Sequence, residues 1–285
     1  MRFAIAAVDR YEIVLDAFLQ AGWDPVRIFS TTLLSGYDSN SALLTRAETI
    51  GVPIQFSPIR PSDFAELGRL GCDALVVAGH PWRIGDWQND LRYAINFHPS
   101  PLPEARGPYP QIRAILERRR EWGVSCHKLD AQFDTGDLLA QNRFPMQPGE
   151  SHETLDFKIQ LSTGELAAQV AANLPALWSA ATPQQGGNYW PFTTEAERDI
   201  DFTQPVDTLL RAVRAFGLME CTARVSDCTI FVRRADGWTQ PHRFVPGTVV
   251  HRNGERLLVA AADGFIALLE WSPLSPEMRR KQSFR

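Results

Sequence analysis

The first half of the chain alternates short apolar runs with amphipathic segments. Apolar runs typical of buried strands occur at residues 3–7, 26–29, 53–56 and 73–77, and segments of helical composition separate them, around residues 13–19, 41–50 and 62–71. Strands that alternate with helices predict βαβ units, and therefore a mostly parallel sheet that is covered on both faces. The predicted fold class is α/β, with a Rossmann-like sheet.

The pattern changes in the second half of the chain. Two further strands are predicted at 124–129 and 138–144, followed by a long helical stretch over 152–178. Residues 182–189 (TPQQGGNY) have the Pro, Gln and Gly content of a linker. Beyond them, one helix near 205–216 precedes only strand-like pieces, with a hairpin signal at Asp263-Gly264. We expect a first domain over 1–181, a linker over 182–191, and a small β-rich, barrel-like (OB-like) domain over 192–285.

Composition narrows the classes of protein to consider. Of the 285 residues, 44% are hydrophobic and 22% are charged, which is the composition of a folded globular chain. The formal net charge of -4 gives no overall basic field for nucleic acid, although a local basic patch is compatible with it. The four cysteines form no C-x-x-C pair, and no apolar stretch approaches the ~20 residues of a membrane span. We therefore expect a cytoplasmic protein without a membrane partner or a metal.

One polar motif lies at the end of a predicted strand. Asn96 and His98 flank Phe97, so the period-2 geometry of a strand places both polar side chains on one side. They lie at the carboxyl edge of the sheet, where open α/β sheets bind ligands. Prolines 99, 101 and 103 then stiffen the following loop. A lone N-x-H pair is more often structural than functional, so this motif alone decides little.

A second polar motif follows 36 residues beyond His98, as Asp134-Thr135-Gly136-Asp137 between two predicted strands. Taken alone, this sequence is a common β-turn, because Asp and Gly favour turns for backbone reasons. The combination of the two motifs is much more specific.

Together the motifs resemble those of the 10-formyltetrahydrofolate-dependent formyltransferase family, above all its methionyl-tRNA formyltransferase-like branch. The family carries N-x-H-x-S-x-L-P and then a D-x-G-D turn, which this chain matches from Asn96 to Pro103 and from Asp134 to Asp137. The resemblance extends along both halves of the chain, at residues 106–107, 195–202, 213–215, 246–248 and 263–264. It implies a Rossmann-like formyltransferase domain and a barrel-like C-terminal domain.

The resemblance implies an enzyme that transfers a formyl group from 10-formyltetrahydrofolate to an amine, with Asn96, His98 and Asp134 as catalytic residues. The chemistry suits these residue types. When an amine attacks a formyl carbonyl, the oxygen gains negative charge, which Asn96 and a protonated His98 are able to stabilise as hydrogen-bond donors. The amine also loses a proton, which needs a group that titrates near neutrality. We expect Asp134 to orient His98 and to favour its charged form.

The resemblance also implies two sets of binding residues. The folate ring is expected between two loops, which supply Gly79, His80, Pro81, Trp82, Arg83 and Ile84 on one side and Asp130, Gln132 and Phe133 on the other. His80 and Trp82 are bulkier than the family pattern, so Trp82 either stacks on the flat ring or covers the surface. Substrate contacts are expected from the loop after His98, at Ser100, Pro101, Leu102, Arg106 and Gly107.

The identity of the amine is the least determined part of the prediction. Members that act on tRNA insert a basic loop after the second strand, but residues 32–45 contain no Lys or Arg. A small-molecule amine, such as an amino sugar or an ornithine-like side chain, is therefore favoured over charged initiator tRNA. The basic tail at 279–281 is the main feature in favour of RNA. A formyltetrahydrofolate hydrolase or a folate-binding protein is a third option, and the oligomeric state stays open. We expect His127 to be a satisfied core residue, and Arg118-Arg119-Arg120 to serve a helix end.

Overall fold

The computed structural model describes residues 1–32 and 39–283, the side chains of 280–283 excepted, and they form two compact units. The first unit contains residues 1–110, 121–145 and 156–191. The second unit contains residues 111–120, 146–155 and 192–285. Two short segments from the middle of the sequence therefore belong to the same unit as the C-terminal residues, and the domain boundaries drawn from the sequence stay a prediction.

The first unit is built on a seven-stranded sheet. Its strands are β1 (Arg2–Ala7), β2 (Asp24–Phe29), β3 (Ile54–Gln55), β4 (Ala74–Ala78), β5 (Tyr93–His98), β6 (Glu121–Lys128) and β7 (Leu138–Pro145). The spatial order is β3-β2-β1-β4-β5-β6-β7, with parallel pairing from β3 to β5 and antiparallel pairing of β5 with β6 and of β6 with β7. The predicted α/β class with a mostly parallel sheet is confirmed.

Helices lie between or after these strands in the sequence. They are α1 (Glu12–Gln20), α2 (Ser41–Ile50), α3 (Pro61–Arg69), α4 (Pro110–Leu116) and α5 (His152–Ser179). The last one is not continuous, because Asn173 has non-helical backbone angles and Pro175 follows inside the helix. Proline removes a helical hydrogen bond and clashes with the preceding turn, which explains the kink.

An aromatic cluster holds α1 against the sheet. Phe3 of β1, Phe18 of α1 and Trp23 have ring centroids 5.0 to 6.0 Å apart, and all three side chains are buried. The indole N–H of Trp23 donates to the carbonyl of Ala171 in α5, at 2.9 Å. Full burial of an aromatic side chain contributes roughly 1.5–3 kcal/mol, so this cluster is a main element of the core.

The start of α2 is capped by a residue that is distant in the sequence. The preceding residue, Asn40, forms no side-chain cap. Instead, the carboxylate of Asp9 accepts hydrogen bonds from the backbone N–H groups of Ala42, at 3.1 Å, and Leu43, at 2.9 Å. A negative charge at a helix N-terminus also interacts favourably with the helix dipole. Asp9 therefore ties the end of β1 to α2.

The second unit contains a six-stranded sheet. Its strands are β8 (Asp199–Ile200), β9 (Cys221–Val225), β10 (Cys228–Thr239), β11 (Val249–Asn253), β12 (Arg256–Ala260) and β13 (Gly264–Ser272), in the order β11-β12-β13-β10-β9-β8. Its helices are α6 (Glu195–Arg198), α7 (Val206–Phe216) and α8 (Pro276–Ser283). The apolar face of α7 is buried through Leu209, Val213 and Phe216. The predicted β-rich second domain is confirmed.

Within the described residues, the structure contains no helix that is both long enough and apolar enough to span a membrane. The cytoplasmic location stays a prediction.

We expect Asp9→Ala to lower the free energy of unfolding by about 1 kcal/mol at neutral pH, as the loss of a helix cap does. Burial raises the pKa of Asp9, but the N–H groups and the hydroxyls of Ser39 and Ser41 outweigh it and hold the pKa below its ordinary value. The stabilisation is therefore present above pH about 4 and is lost as the pH falls below it.

Urea unfolding of the parent and the variant at neutral and acidic pH measures this effect. Asp24→Ala is the matched control, because Asp24 forms an exposed ion pair with Arg2 and caps no helix. An equal loss for both variants at neutral pH would contradict the capping role.

Candidate active site

The site is centred on the carboxylate of Asp134, in the turn between β6 and β7. Its Oδ1 atom lies 3.3 Å from Nδ2 of Asn96 and 3.4 Å from Nδ1 of His98. Its Oδ2 atom accepts a hydrogen bond from the backbone N–H of Gly107, at 2.9 Å. The structure therefore brings together the three residues that the sequence analysis predicts as catalytic. Their catalytic roles stay a prediction.

Asp134 adopts a backbone conformation that is uncommon for a residue with a side chain. Its φ of 59° lies in the left-handed region. Two residues later, a Cβ atom at Gly136 would overlap the carbonyl of Lys128, so that position requires glycine. The backbone needs of the turn thus explain both the Asp and the Gly of the D-x-G-D motif, and the turn directs the carboxylate toward β5.

His127 belongs to the same cluster, although the sequence analysis treats it as a core residue. It lies on β6 opposite Asn96 of β5, and its side chain is buried. Its Nδ1 lies 2.7 Å from the carbonyl of Lys128, which only accepts, so Nδ1 carries the proton. When His127 is neutral, Nε2 accepts from Asn96 Nδ2 at 3.1 Å, and it lies 3.5 Å from Asp134 Oδ1.

Both amide hydrogens of Asn96 are therefore engaged, one by His127 and one by Asp134. The reverse orientation of this amide would place its oxygen against the carboxylate of Asp134, which is unfavourable. Within the described residues, no group donates to Oδ1 of Asn96. Asn96 thus holds the two ionisable groups in place and leaves its oxygen available to accept a hydrogen bond.

The electrostatics of His98 differ from the expectation. Its Nε2 donates to the carbonyl of Ala105, at 3.0 Å, and the ring is buried. Burial lowers the pKa of His98 below its ordinary value, and this outweighs Asp134 and the Ala105 carbonyl, which raise it. Asp134 favours the charged form of His98, as expected, but desolvation disfavours the imidazolium more than the carboxylate stabilises it.

Asp134 itself stays ionised. Burial raises the pKa of this carboxyl, but His98, His127 and the Gly107 N–H outweigh it and hold the pKa far below its ordinary value. At neutral pH the site therefore combines a carboxylate with a neutral imidazole whose unprotonated Nδ1 faces it. This pair is able to accept one proton.

Hydrogen bonds with buried groups fix the conformation of the loop after His98. Ser100 and Leu102 are buried, and the Ser100 hydroxyl donates to the carbonyl of Glu104, at 2.8 Å. The Ser125 hydroxyl oxygen accepts a hydrogen bond from the Leu102 N–H, at 3.0 Å. The side-chain amide of Gln141 donates to the Leu102 carbonyl, at 2.7 Å. These contacts explain the sequence S-x-L-P as a means to shape the loop. Pro101 is also buried, and the predicted substrate contacts of the loop remain untested.

Gln184, in the segment that the sequence predicts as a linker, holds the turn of Asp134. Its side-chain amide donates to the backbone carbonyls of Asp134, at 2.9 Å, and Gly136, at 2.7 Å. Arg106 in turn donates to Oε1 of Gln184, at 3.1 Å, and to the carbonyl of Gly186, at 3.0 Å. Gln184 is a positioning residue that the sequence analysis missed, because paired glycines and a proline indicate a loop without showing what the loop contacts.

The same segment fixes the backbone near Gly107. Asn188 accepts a hydrogen bond from the Ala105 N–H, at 2.7 Å, and Trp190 donates to the carbonyl of Arg106, at 2.7 Å. The Trp190 ring stacks on Trp122, with centroids 5.8 Å apart and planes 14° apart. A Cβ atom at Gly107 would overlap the Trp190 carbonyl, so glycine lets this backbone approach and aims its N–H at Asp134.

The two predicted folate-binding loops lie together in the first unit. Arg83 donates to the carbonyl of Ala131, at 2.5 Å, and thereby joins residues 79–84 to 130–133. Both ring nitrogens of His80 are buried and have no hydrogen-bond partner within the described residues, and burial lowers the pKa of His80 to about 4. Trp82 meets the His80 ring edge-on, at 5.2 Å.

Phe133, which is 54% exposed, offers an apolar face beside these loops. In the described part of the chain, no group of three or more His, Cys, Asp or Glu side chains is arranged to hold a metal ion. The individual contacts at residues 79–84, 130, 132 and 133 stay predictions.

Taken together, the mostly parallel sheet carries a buried cluster of Asn, His and Asp side chains at the end of β5. Comparison with known proteins identifies the family. The model of the formyl transferase family matches residues 72–170, and the model of the formyl transferase C-terminal domain matches residues 193–284.

Characterised relatives agree with this assignment. The methionyl-tRNA formyltransferase of Thermus thermophilus is 33% identical over 82% of this chain and 76% of its own length. That of Janthinobacterium sp. is 32% identical over 70% of this chain, but the match spans only 64% of that enzyme. The chain belongs to the formyl transferase family, and the prediction of the family and of a formyltransferase is confirmed at that level.

Solved structures share the fold. HypX from Aquifex aeolicus superposes with a TM-score of 0.70 at 18% identity, over 95% of this chain and 44% of that one. The N-formyltransferase from Helicobacter canadensis, determined in complex with folinic acid and dTDP-3-aminofucose, gives a TM-score of 0.67 at 15% identity, over 94% of this chain and 98% of that one. At these identities the likeness concerns the fold.

We expect His98 to titrate below the ordinary histidine pKa of about 6.5, because burial outweighs the charge of Asp134. In Asp134→Asn the pKa of His98 should fall further, because the anion that raises it is gone. An NMR titration of the ring protons measures both values, and His98→Gln assigns the signal. A midpoint at or above 6.5 in the parent, or an upward move in Asp134→Asn, would contradict the electrostatic description.

Proposed function

We propose that the protein is an N-formyltransferase that moves the formyl group of 10-formyltetrahydrofolate to the primary amine of a small molecule. The observation that supports this most is the Asp134 cluster with Asn96, His98 and His127, placed at the sheet edge of a chain in the formyl transferase family. An ionised carboxylate beside a neutral imidazole is what the removal of a proton from an attacking amine requires.

The proton that leaves the amine is taken up by the pair of His98 and Asp134. The same proton would then pass to the folate nitrogen as its bond to the formyl carbon breaks, so that tetrahydrofolate leaves as a neutral amine. Nδ1 of neutral His98 is unprotonated and lies 3.4 Å from Asp134 Oδ1. A proton placed on Nδ1 converts a repulsive contact between a lone pair and a carboxylate into an ion pair in a buried setting. Gly107 keeps its hydrogen bond to the other carboxylate oxygen throughout, so the charge of Asp134 stays in place.

Asn96 orients the reacting groups. Its Oδ1 is free to accept a hydrogen bond from the attacking amine, which would align the nitrogen lone pair with the carbonyl carbon. Donation to the carbonyl oxygen, as the family resemblance implies, requires one Nδ2 hydrogen to leave His127 or Asp134. His127 is then the more readily exchanged partner, because a charged carboxylate holds a donor more strongly than a neutral imidazole.

10-Formyltetrahydrofolate would supply the formyl group, and its ring would be held by residues 79–84 and 130–133. The exposed ring of Phe133 suits such a ligand. Because Arg83 joins the two loops, its loss should loosen both walls of this pocket.

The choice of a small acceptor rests on charge. No Lys or Arg occurs from Ser30 to Thr45, where a loop that reaches tRNA would need several, and the chain carries a net charge of -4. Residues 33–38 of this stretch lie outside the described part of the structure, so the choice of acceptor rests on their sequence alone. The tail residues 280 and 281 have no described side chains either, and Arg279 is paired with Glu220.

Formylation of methionyl-tRNA is the second candidate. The names of the relatives that share about 30% identity favour it. The structural neighbour that binds an amino sugar nucleotide favours a small acceptor, at lower identity. A hydrolase or a folate-binding protein remains the third candidate.

We expect Asn96→Ala and His98→Ala to lower turnover at least about 100-fold in protein that still folds, because both act on the reacting groups. Formyl transfer from 10-formyltetrahydrofolate to the best acceptor measures the effect. His251→Ala is the control, because His251 is exposed on β11 in the second unit. A variant of Asn96 or His98 with near-parental turnover would remove that residue from the mechanism.

We expect amino sugars, free or nucleotide-linked, or diamino acids to be formylated, and initiator methionyl-tRNA to be a poor acceptor. Rates measured side by side at several salt concentrations test this. Efficient, salt-sensitive formylation of the tRNA alone would establish the second candidate instead. Release of formate without any amine would indicate a hydrolase, and tight folate binding without turnover would indicate a binding protein.

A further inference from the structure

A concave, basic pocket lies entirely within the second unit. Its volume is about 320 Å³, and its walls come from the segments 111–120 and 146–155 and from α7. Ile115 and Met146 give it an apolar floor. None of these residues belongs to the site around Asp134, and neither set of predicted binding residues includes them.

The charge of this pocket is strongly one-sided. Five arginines line it, namely Arg118, Arg119, Arg120, Arg211 and Arg214, against only two carboxylates, those of Asp207 and Glu150. The lining thus carries three positive charges in excess, on a chain whose net charge is -4. Like charges in a concave surface repel one another, and an anion in the pocket relieves that repulsion.

The two carboxylates are already used. Asp207 lies 2.5 Å from Arg118 and 3.2 Å from Arg211. Glu150 accepts from the Thr154 hydroxyl, at 2.6 Å, and from the backbone N–H of Gln147, at 3.0 Å. The charges of both carboxylates are already counted in the excess of three positive charges.

Two arginines lack a counterion in the described part of the chain. Arg120 is exposed at the rim and forms no ion pair, and Arg214 of α7 forms none either. The Nε of Arg214 is buried without a hydrogen-bond partner. A guanidinium without a counterion in a basic pocket is stabilised by an anion, which phosphate oxygens supply.

We propose that this pocket binds the phosphate groups of a small, nucleotide-sized ligand, with Arg120 and Arg214 as direct contacts. The guanidinium fork matches the spacing of phosphate oxygens and stays charged at every physiological pH. A volume of about 320 Å³ suits a pyrophosphate with a small substituent. RNA is disfavoured, because binding along a strand requires a basic stripe, and the arginines here converge on one concave point. The proposal does not depend on the formyl transfer reaction.

Calorimetric titration of the full chain tests this, with inorganic pyrophosphate, uridine diphosphate and a 20-nucleotide single-stranded RNA as separate probes. We expect pyrophosphate and uridine diphosphate to bind saturably. Arg120→Gln and Arg214→Gln should each weaken that binding at least about tenfold, which corresponds to about 1.4 kcal/mol. Arg233→Gln is the matched control, because it removes the same charge from β10, outside the pocket. Asn96→Ala, in the other unit, should leave pyrophosphate binding unchanged.

Three results would overturn the proposal. The first is no saturable binding of pyrophosphate or uridine diphosphate at about 1 mM, the second is equal weakening by Arg120→Gln and by the control, and the third is binding of the RNA alone. If Arg214→Gln fails to fold, Arg120→Gln decides the matter, because Arg120 is exposed and its loss removes no core contact.

Discussion

The buried negative charge of Asp134 is the constraint on which the rest of the site depends. A carboxylate that leaves water is strongly destabilised unless charges or hydrogen bonds compensate it. Here the compensation comes from two hydrogen-bond donors, the Gly107 N–H and the Asn96 amide. Each of these donors needs its own support, since Gly107 must be free of a side chain and the turn of Asp134 must be held by Gln184. The two sequence motifs therefore serve the same purpose, which is to stabilise the buried charge of Asp134.

This dependence explains which site residues were predictable. The alternation of Asn96 and His98 at the end of an apolar strand indicates a shared position for these two side chains. Asp134 is indicated by a turn that needs Asp and Gly at fixed positions. Their roles as a group came from a family resemblance. His127 is the buried, hydrogen-bonded residue that was expected. Its contacts with Asn96 and Asp134 were not predictable, because they arise from the register that pairs β6 with β5, which the local sequence does not encode. Gln184 was missed because its contacts span 50 residues in the sequence and lie in a segment with the composition of a linker.

The fold shows the same division between local and distant information. Apolar periodicity predicts the strands and the α/β class, because a buried strand has an apolar local sequence. The antiparallel direction of β6 and β7 and the assignment of segments 111–120 and 146–155 to the second unit depend on packing between remote parts of the chain. Pro175 predicts the kink of α5, but the helical composition of residues 152–178 favours one continuous helix.

The protonation states of the site bear directly on the choice of chemistry. A histidine held in its charged form would act as a hydrogen-bond donor but would be unable to accept a proton. Burial favours the neutral form of His98, and hydrogen-bond donors keep Asp134 ionised. Before the reaction, the site therefore contains a carboxylate and the unprotonated Nδ1 of His98. An amine must lose a proton as it attacks, and a neutral imidazole beside an ionised carboxylate is able to take that proton.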